Sequence, residues 1–381
     1  MGWQKCQQYH MNMREMDLYK KIKISVLGLR GFPEIEGGVE KHCESLYSHL
    51  SNKYDITVYR RRPYVSSSNS YKNISFIDLP STKIKGVEAF LHSFLASVDV
   101  LIKKPDVAHY HNIGPALFSP IVKLRRIPVV LTYHSPNYEH DKWGKFAKKL
   151  LLFSERVALK TADKVIFVNK FQMQKYSQEI QNKSIYVPNG INDLMPSQNT
   201  SYLLQLGIEP GKYILSVGRI TQEKGFDVLI KAFNKANLDG IKLVIAGGVE
   251  FEDGYMKELK MLSEGKNVVF TGFVNGDNLA QLYTYAGLYV LASNNEGFPI
   301  VLLEAMKYGL DVLVSDIPAT HLVNLDKDNY FPKGDSNVLA QKMRKKSIGF
   351  NRIKYEMSRY DWKQIAAIVG DIYDNVARRE C

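Results

Sequence analysis

What most constrains this chain is one repeated alternation: short β-branched apolar runs, many closing on Gly, Asn or Asp, separated by segments of helical period. In the first half the runs are KISVLGL (23–29), DITVYR (55–60), NISFIDL (73–79), VAHYHN (107–112), IPVVLTYH (127–134), KVIFVN (164–169) and SIYVPNG (184–190). In the second they are YILSVGR (213–219), KLVIAGG (242–248), VVFTGF (268–273), LYVLAS (288–293) and DVLVSD (311–316). Runs apolar on both sides, with helices between them, predict parallel sheets covered on both faces. The expected class is α/β, with two Rossmann-like, doubly wound domains facing across a cleft.

Both halves open alike, with KISVLGLRG and KYILSVGRI each leaving a strand through Gly and Arg. The stretch 188–211, rich in Pro, Asn and Gly, reads as the linker. The expected division is an extension at 1–20, an N-terminal domain at 21–193 and a C-terminal domain at 194–358. A final segment, 359–381, reads as a helix pair crossing back to the first domain. Ligands of such sheets bind outside the carboxyl ends of the strands.

A chain of 381 residues, 45% hydrophobic and 24% charged, has the composition of a globular protein with ample core. No apolar run reaches the ~18 residues of a membrane span. Residues 1–20 contain no secretory h-region. Cys6, Cys43 and Cys381 form no CxxC, which fits a reducing cytoplasm. Net charge is +12, and twelve Lys and Arg against four Asp and Glu fall between Lys123 and Lys175. Their centre, DKWGKFAKKLLLFSERVALK (141–160), is open to three readings: a solvated helix face, a nucleic-acid patch, or a helix lying on anionic lipid.

Several strand ends carry residues able to do chemistry. In GLRGFPEIEGGVEKH (28–42), Gly37 and Gly38 precede a helix whose N–H groups could face an anion; a loop needing glycines for its turns explains them equally. GRITQEKGFD (218–227) brackets a strand-to-helix turn with Arg219 and Lys224, a fork and a point charge suited to a diphosphate. His134 closes its strand and could hydrogen-bond a sugar hydroxyl or act as a base. His109 and His111 share one strand face, and without carboxylate ligands nearby they read as packed or hydrogen-bonded rather than metal-binding. NNEGFPIVLLEAMKYG (294–309) reads as a loop bearing Glu296, then a helix with Pro299 in its first position and Gly309 just past its end. Glu304 sits inside an apolar helical run, where a carboxylate needs a donor partner to offset desolvation.

Taken together, GGVE (37–40), TYH (132–134), GRITQEKGF (218–226), EGFPIVLLE (296–304) and VLVSD (312–316) resemble the retaining nucleotide-sugar glycosyltransferases of family 4, which have the GT-B fold. The opening GLRGFPEIEGGVEKHCESLY is similar to the exopolysaccharide and O-antigen subgroup, often rhamnosyltransferases. The resemblance implies roles by position. Arg219 and Lys224 bind the donor diphosphate, Glu296 the donor sugar's hydroxyls, and Glu304 the ribose. Gly297, Phe298 and Pro299 contact sugar or phosphate, Gly37 and Gly38 allow close approach of a substrate, and His134 touches the sugar. Gly272, Phe273 and Val274 line the base pocket. The segment SDIPATHL (315–322) departs from the usual continuation.

The implied function is retaining, metal-independent transfer of a hexosyl or deoxyhexosyl group in cell-surface polysaccharide synthesis. The donor is a nucleotide sugar, a substrate rather than a cofactor, and the acceptor a saccharide or polyprenyl-diphosphate-linked saccharide. No acidic D-x-D motif stands out, which fits transfer without a metal. Lys142, Trp143, Lys145, Lys148 and Lys149 would dock the protein on anionic lipid, as a cytoplasmic, peripheral membrane enzyme. Two rivals are a GT-B nucleotide-sugar epimerase and a basic nucleic-acid-binding protein, the latter without a readable nucleic-acid module.

Overall fold

A computed structural model describes residues 21–377, apart from 36, 66–69, 83–86, 137, 139–143 and 250–253. Its residues form two compact units. One comprises the described chain through Tyr133, Lys145–Ile166 and the chain from Ala366; the other comprises His134–Gly144 and Phe167–Ile365.

The first sheet contains β1 (Lys23–Leu27), β2 (Asp55–Arg61), β3 (Ser70–Tyr71), β4 (Ile74–Leu79), β5 (Val107–His111), β6 (Val129–Tyr133), β7 (Lys164–Phe167) and β8 (Ser184–Tyr186), in the order β3-β4-β2-β1-β5-β6-β7-β8. β4, β2, β1, β5 and β6 pair in parallel, while β3 is antiparallel to β4. β5 and β6 are buried at every residue, as strands covered by helices on both faces must be.

His109 and His111 project from one face of β5 and stack with ring centroids 4.4 Å apart. The Tyr47 hydroxyl lies 2.9 Å from His109 Nδ1 and 2.6 Å from His111 Nε2, while Thr132 Oγ1 is 2.8 Å from His109 Nε2. Tyr373, from the helix Trp362–Ala377, reaches His109 Nδ1 at 2.5 Å. Burial, with His42 nearby, pushes the His109 imidazole down to about 3, so the ring is neutral and structural.

The second sheet contains β9 (Tyr213–Val217), β10 (Lys242–Ala246), β11 (Val268–Gly272), β12 (Leu288–Leu291), β13 (Asp311–Asp316) and β14 (Tyr330–Pro332). Its order is β11-β10-β9-β12-β13-β14, all parallel. The chain winds outward from β9 through β10 to β11, then crosses to β12 and winds the other way. The topological switch point therefore lies between β9 and β12, where a ligand crevice is expected.

At the C-terminus the expected helix pair is instead a 3₁₀ turn, Ser358–Tyr360, followed by the single helix Trp362–Ala377. Asp361 starts that helix by accepting the Lys363 N–H at 2.9 Å, as an N-cap does. From Ala366 onward the helix belongs to the first unit, where Tyr54 donates to the Gly370 carbonyl at 2.8 Å and to Asp374 at 2.9 Å. Among the described residues no helix is long and apolar enough to cross a membrane.

Candidate active site

β9 and β12 are paired only at Ile214↔Leu288 and Leu215↔Tyr289. Beyond that point two loops leave the sheet side by side. The first runs from Gly218 through a 3₁₀ turn, Gln222–Lys224, into the helix Phe226–Ala236. The second runs from Ala292 to Pro299 and enters the helix Ile300–Lys307.

The loops are locked together. The Asn294 N–H donates to the Glu223 carbonyl at 2.7 Å. Gly225 has φ of 62°, and a Cβ there would lie 2.2 Å from the Ala292 carbonyl oxygen, so only glycine lets the first loop press on the exit of β12. This contact brings Lys224 to Glu296, Nζ to Oε1 at 2.6 Å, with both side chains mostly buried. Ser293 Oγ donates to the same carboxylate oxygen at 2.7 Å. Arg219, half-buried, lies in the first loop just past Gly218.

Glu304 stands apart from this pair, and its partners are aromatic. It is buried, and the Tyr283 hydroxyl donates to Oε2 at 2.8 Å. The Tyr283 ring stacks between Tyr289, at 6.0 Å, and Tyr308, at 5.2 Å. Burial first, and then the charge of Glu304, pushes the Tyr283 hydroxyl well above its ordinary range, so it stays a proton donor. The two carboxylates therefore work in different environments, one against a cation and a serine, the other against a phenol.

The loop Glu296–Pro299 is fixed from outside by its carbonyls. Asn169 Nδ2 donates to the Gly297 carbonyl at 3.0 Å, and Asn189 Nδ2 to the Phe298 carbonyl at 3.2 Å. A Cβ on Gly297 would lie 2.1 Å from the backbone oxygen of His134, which brings that residue to the same loop. These bonds help to explain why the segment 167–193, expected in the first domain, falls in the second unit. Pro299 is not the first helical residue but the N-cap, with ψ of 96°; Gly309, at φ of 73°, ends the helix as expected.

Gly272, at φ of 71°, ends β11, and its carbonyl accepts the Gly247 N–H at 2.9 Å. Phe273 beyond it is exposed and Val274 half-buried, at the same end of the sheet as the two loops. Gly37 and Gly38 belong to the first unit, at the start of the helix Gly38–Leu50. There the carboxylate of Glu40 folds back onto the first turn, and its Oε1 accepts the Arg30 N–H at 3.2 Å. An anion does face this helix end, and it is the chain's own. Open space surrounds Gly38, where an added Cβ would meet nothing within 4 Å.

One reading needs correction: Asp326-Lys327-Asp328 does spell D-x-D. It precedes β14, at the amino ends of the parallel strands and so away from the loops, and Asp328 pairs with Lys345 at 2.8 Å. Ser293, Asn169, Asn189 and Tyr283 were not singled out from sequence. Only Asn169 carried a local signal, an Asn closing a strand and opening a helix, where it caps the Phe171 and Gln172 N–H groups.

Lys142 and Trp143 lie outside the described residues. Lys145, Lys148 and Lys149 lie on the helix Lys145–Thr161 of the first unit, Lys145 and Lys149 exposed. Phe146 is 82% and Phe153 57% exposed on the same helix. It packs, with the helix Val87–Lys103, against the turn Pro115–Phe118. Phe90 and Phe94, also exposed, meet Phe118 edge-on.

Two family models match successive parts of the chain and meet between residues 193 and 204, not at 166 where the structural units divide. Residues 36–193 match the family model "Glycosyltransferase Family 4", and residues 204–346 match "Glycosyl transferases group 1". Both halves are glycosyltransferase domains. An uncharacterized glycosyltransferase of Methanocaldococcus jannaschii is 28% identical over 92% of this chain and 98% of its own length. The amylovoran biosynthesis glycosyltransferase AmsD of Erwinia amylovora is 22% identical over 87% and 92%. Among solved structures, sucrose-phosphate synthase from Thermosynechococcus elongatus superposes with a TM-score of 0.78 at 19% identity, covering 93% of this chain and 99% of that one. Anabaena HepE in complex with UDP and glucose gives 0.76 at 18%, covering 93% and 100%. The fold of this glycosyltransferase is thus GT-B, two α/β domains each built on a mainly parallel sheet.

Proposed function

We propose that this glycosyltransferase moves a hexosyl or deoxyhexosyl group from a nucleotide-sugar donor to a saccharide or polyprenyl-diphosphate-linked saccharide, with retention, in cell-surface polysaccharide synthesis. The observation that carries the donor reading is the Lys224–Glu296 pair at the β9/β12 switch point, with Arg219 half-buried in the same loop as Lys224. A glycosyl donor breaks toward an oxocarbenium-like cation and a nucleoside diphosphate. Fixed cations at the diphosphate lower the cost of the charge that develops there, as preorganised electrostatics does. Arg219 supplies a planar fork and Lys224 a point charge, so the chemistry asks for no metal and no cofactor. Glu296 takes hydroxyls of the sugar, and Glu304, oriented by Tyr283, takes the ribose. The leaving phosphate acts as base for the incoming hydroxyl on the same face.

HepE, bound in crystals to UDP-glucose, shares the fold at a TM-score of 0.69 and supports a nucleotide sugar as the class of donor. AmsD, named for amylovoran biosynthesis, supports a polysaccharide product. The basic, aromatic helix of the first unit suits the inner face of a membrane, where a lipid-linked acceptor resides.

The test is a panel of UDP-, GDP- and dTDP-sugars, scored for binding and then for nucleoside diphosphate release with lipid-linked acceptors. Glu296→Ala abolishes turnover with nucleotide binding retained, whereas Glu304→Ala weakens nucleotide binding about tenfold, the loss of a hydrogen bond to a charged group. Wild-type behaviour of both variants would overturn the site.

A further inference from the structure

Resting on that donor reading, we propose that Glu296 acts through Lys224 as a selectivity device, making the site prefer an intact nucleotide sugar to the nucleoside diphosphate that transfer leaves behind. Lys224 is already engaged. Its ammonium lies 2.6 Å from Glu296 Oε1, with 19% and 11% of the two side chains exposed. Neither group is placed by chance. Lys224 ends a 3₁₀ turn pinned by Gly225 against the Ala292 carbonyl. Glu296 is held by the hydroxyl of Ser293, itself fully buried, at 2.7 Å.

A diphosphate that recruits Lys224 must compete with this carboxylate. Removing the cation from a mostly buried ion pair leaves an uncompensated charge, which is the costly way to break such a pair. The two ligands differ in what they return. In the intact donor the sugar's hydroxyls donate to Glu296 and replace the ammonium. The free nucleoside diphosphate brings no such donor, and its terminal phosphate carries one more negative charge toward the carboxylate. Glu296 therefore opposes the product and tolerates the substrate, which speeds product release after each turnover. Ser293 is a positioning residue in this scheme: it aims the carboxylate that the sugar must satisfy.

The isosteric variant Glu296→Gln separates the two ligands, because it keeps the hydrogen-bonding shape and removes the charge. Isothermal titration with UDP, GDP and dTDP, and with the matching nucleotide sugar, is run on wild type and variant, alongside thermal melting to show that both are folded. The variant is expected to bind its nucleoside diphosphate at least fivefold tighter than wild type, with no gain for the intact donor. That gap narrows in high salt, since the opposing term is electrostatic. Ser293→Ala is expected to raise the KM for the donor at nearly unchanged affinity for the nucleoside diphosphate. If wild type binds a nucleoside diphosphate and Glu296→Gln binds it no tighter, the selectivity proposal is overturned while the donor reading stands. If folded wild type binds none of the three, the donor reading itself falls, and this proposal with it.

Discussion

Two glycines do more to set this site than their lack of a side chain suggests. Gly225 and Gly297 each lie where a Cβ would enter the van der Waals shell of a backbone oxygen, at 2.2 Å and 2.1 Å. Backbone cannot swing aside as a flexible side chain can, so an alanine displaces a loop. For Gly297→Ala the displaced loop carries Glu296 at one end and the helix entrance at the other. We expect activity to fall at least a hundredfold and stability by about 1–3 kcal/mol, the range for overpacking a tight contact. Steady-state kinetics beside chemical denaturation would show it, and a variant with wild-type kcat would exclude so tight a fit. At this scale the sequence was only partly readable. Glu296, Lys224 and Arg219 announce themselves as charges in Gly-punctuated loops after strands. Ser293 and Asn189 do not, and Asn169 shows only as a helix cap: polar side chains abound at strand ends, the Gly297 and Phe298 carbonyls that the two asparagines bind are reached only through tertiary folding, and Ser293 bonds Glu296 within its own loop.

Helices and strands were more legible, and their failures share a cause. Strand cores were found where β-branched residues run together, whereas β3 and β14, of two and three residues, are too short for any period to show. The observed strands stop short of the Gly or Asn that closes an apolar run, as in SIYVPNG, which is strand only over Ser184–Tyr186. The helix Lys145–Thr161 shows both what pattern gives and what it leaves open. Its exposed Phe146 and Phe153 beside Lys145 and Lys149 favour an interfacial helix over a merely solvated one. Flotation with anionic vesicles is expected to recover wild-type protein. Replacing Lys145, Lys148 and Lys149 with glutamine should cut the bound fraction severalfold, at roughly 1 kcal/mol lost for each charge near the surface. Equal flotation of both proteins would remove the lipid-docking role.

For the whole molecule, two buried histidines set a sensitivity to acid. Burial, with His42 adding to it, holds His109 down at about 3; burial, with Arg61 adding to it, holds His92 at about 4, from an ordinary value of 6.5. Both are therefore neutral in the folded chain over a range where the unfolded chain takes up protons. The stabilisation is complete above pH 6.5 and is lost as pH falls from there toward 4 and then 3. Each histidine costs up to about 1.4 kcal/mol per pH unit within that window, or about 2 kcal/mol between pH 7 and 5. Denaturant midpoints at these two pH values measure it, and His92→Gln should flatten the dependence. A midpoint that does not move between pH 7 and 5 would show that these rings gain no protons on unfolding.

The helix Trp362–Ala377 carries a consequence for how the chain is made. Its last turns cover Tyr54 and complete the hydrogen bonds of His109, residues synthesised some three hundred positions earlier. The second unit can close its sheet while still near the ribosome, since β9 to β14 are consecutive in the chain. The first unit cannot: its core stays open until this helix is released. Translation order and folding order are thus reversed for the two units, and a truncation that removes this helix strikes first at the unit synthesised earlier.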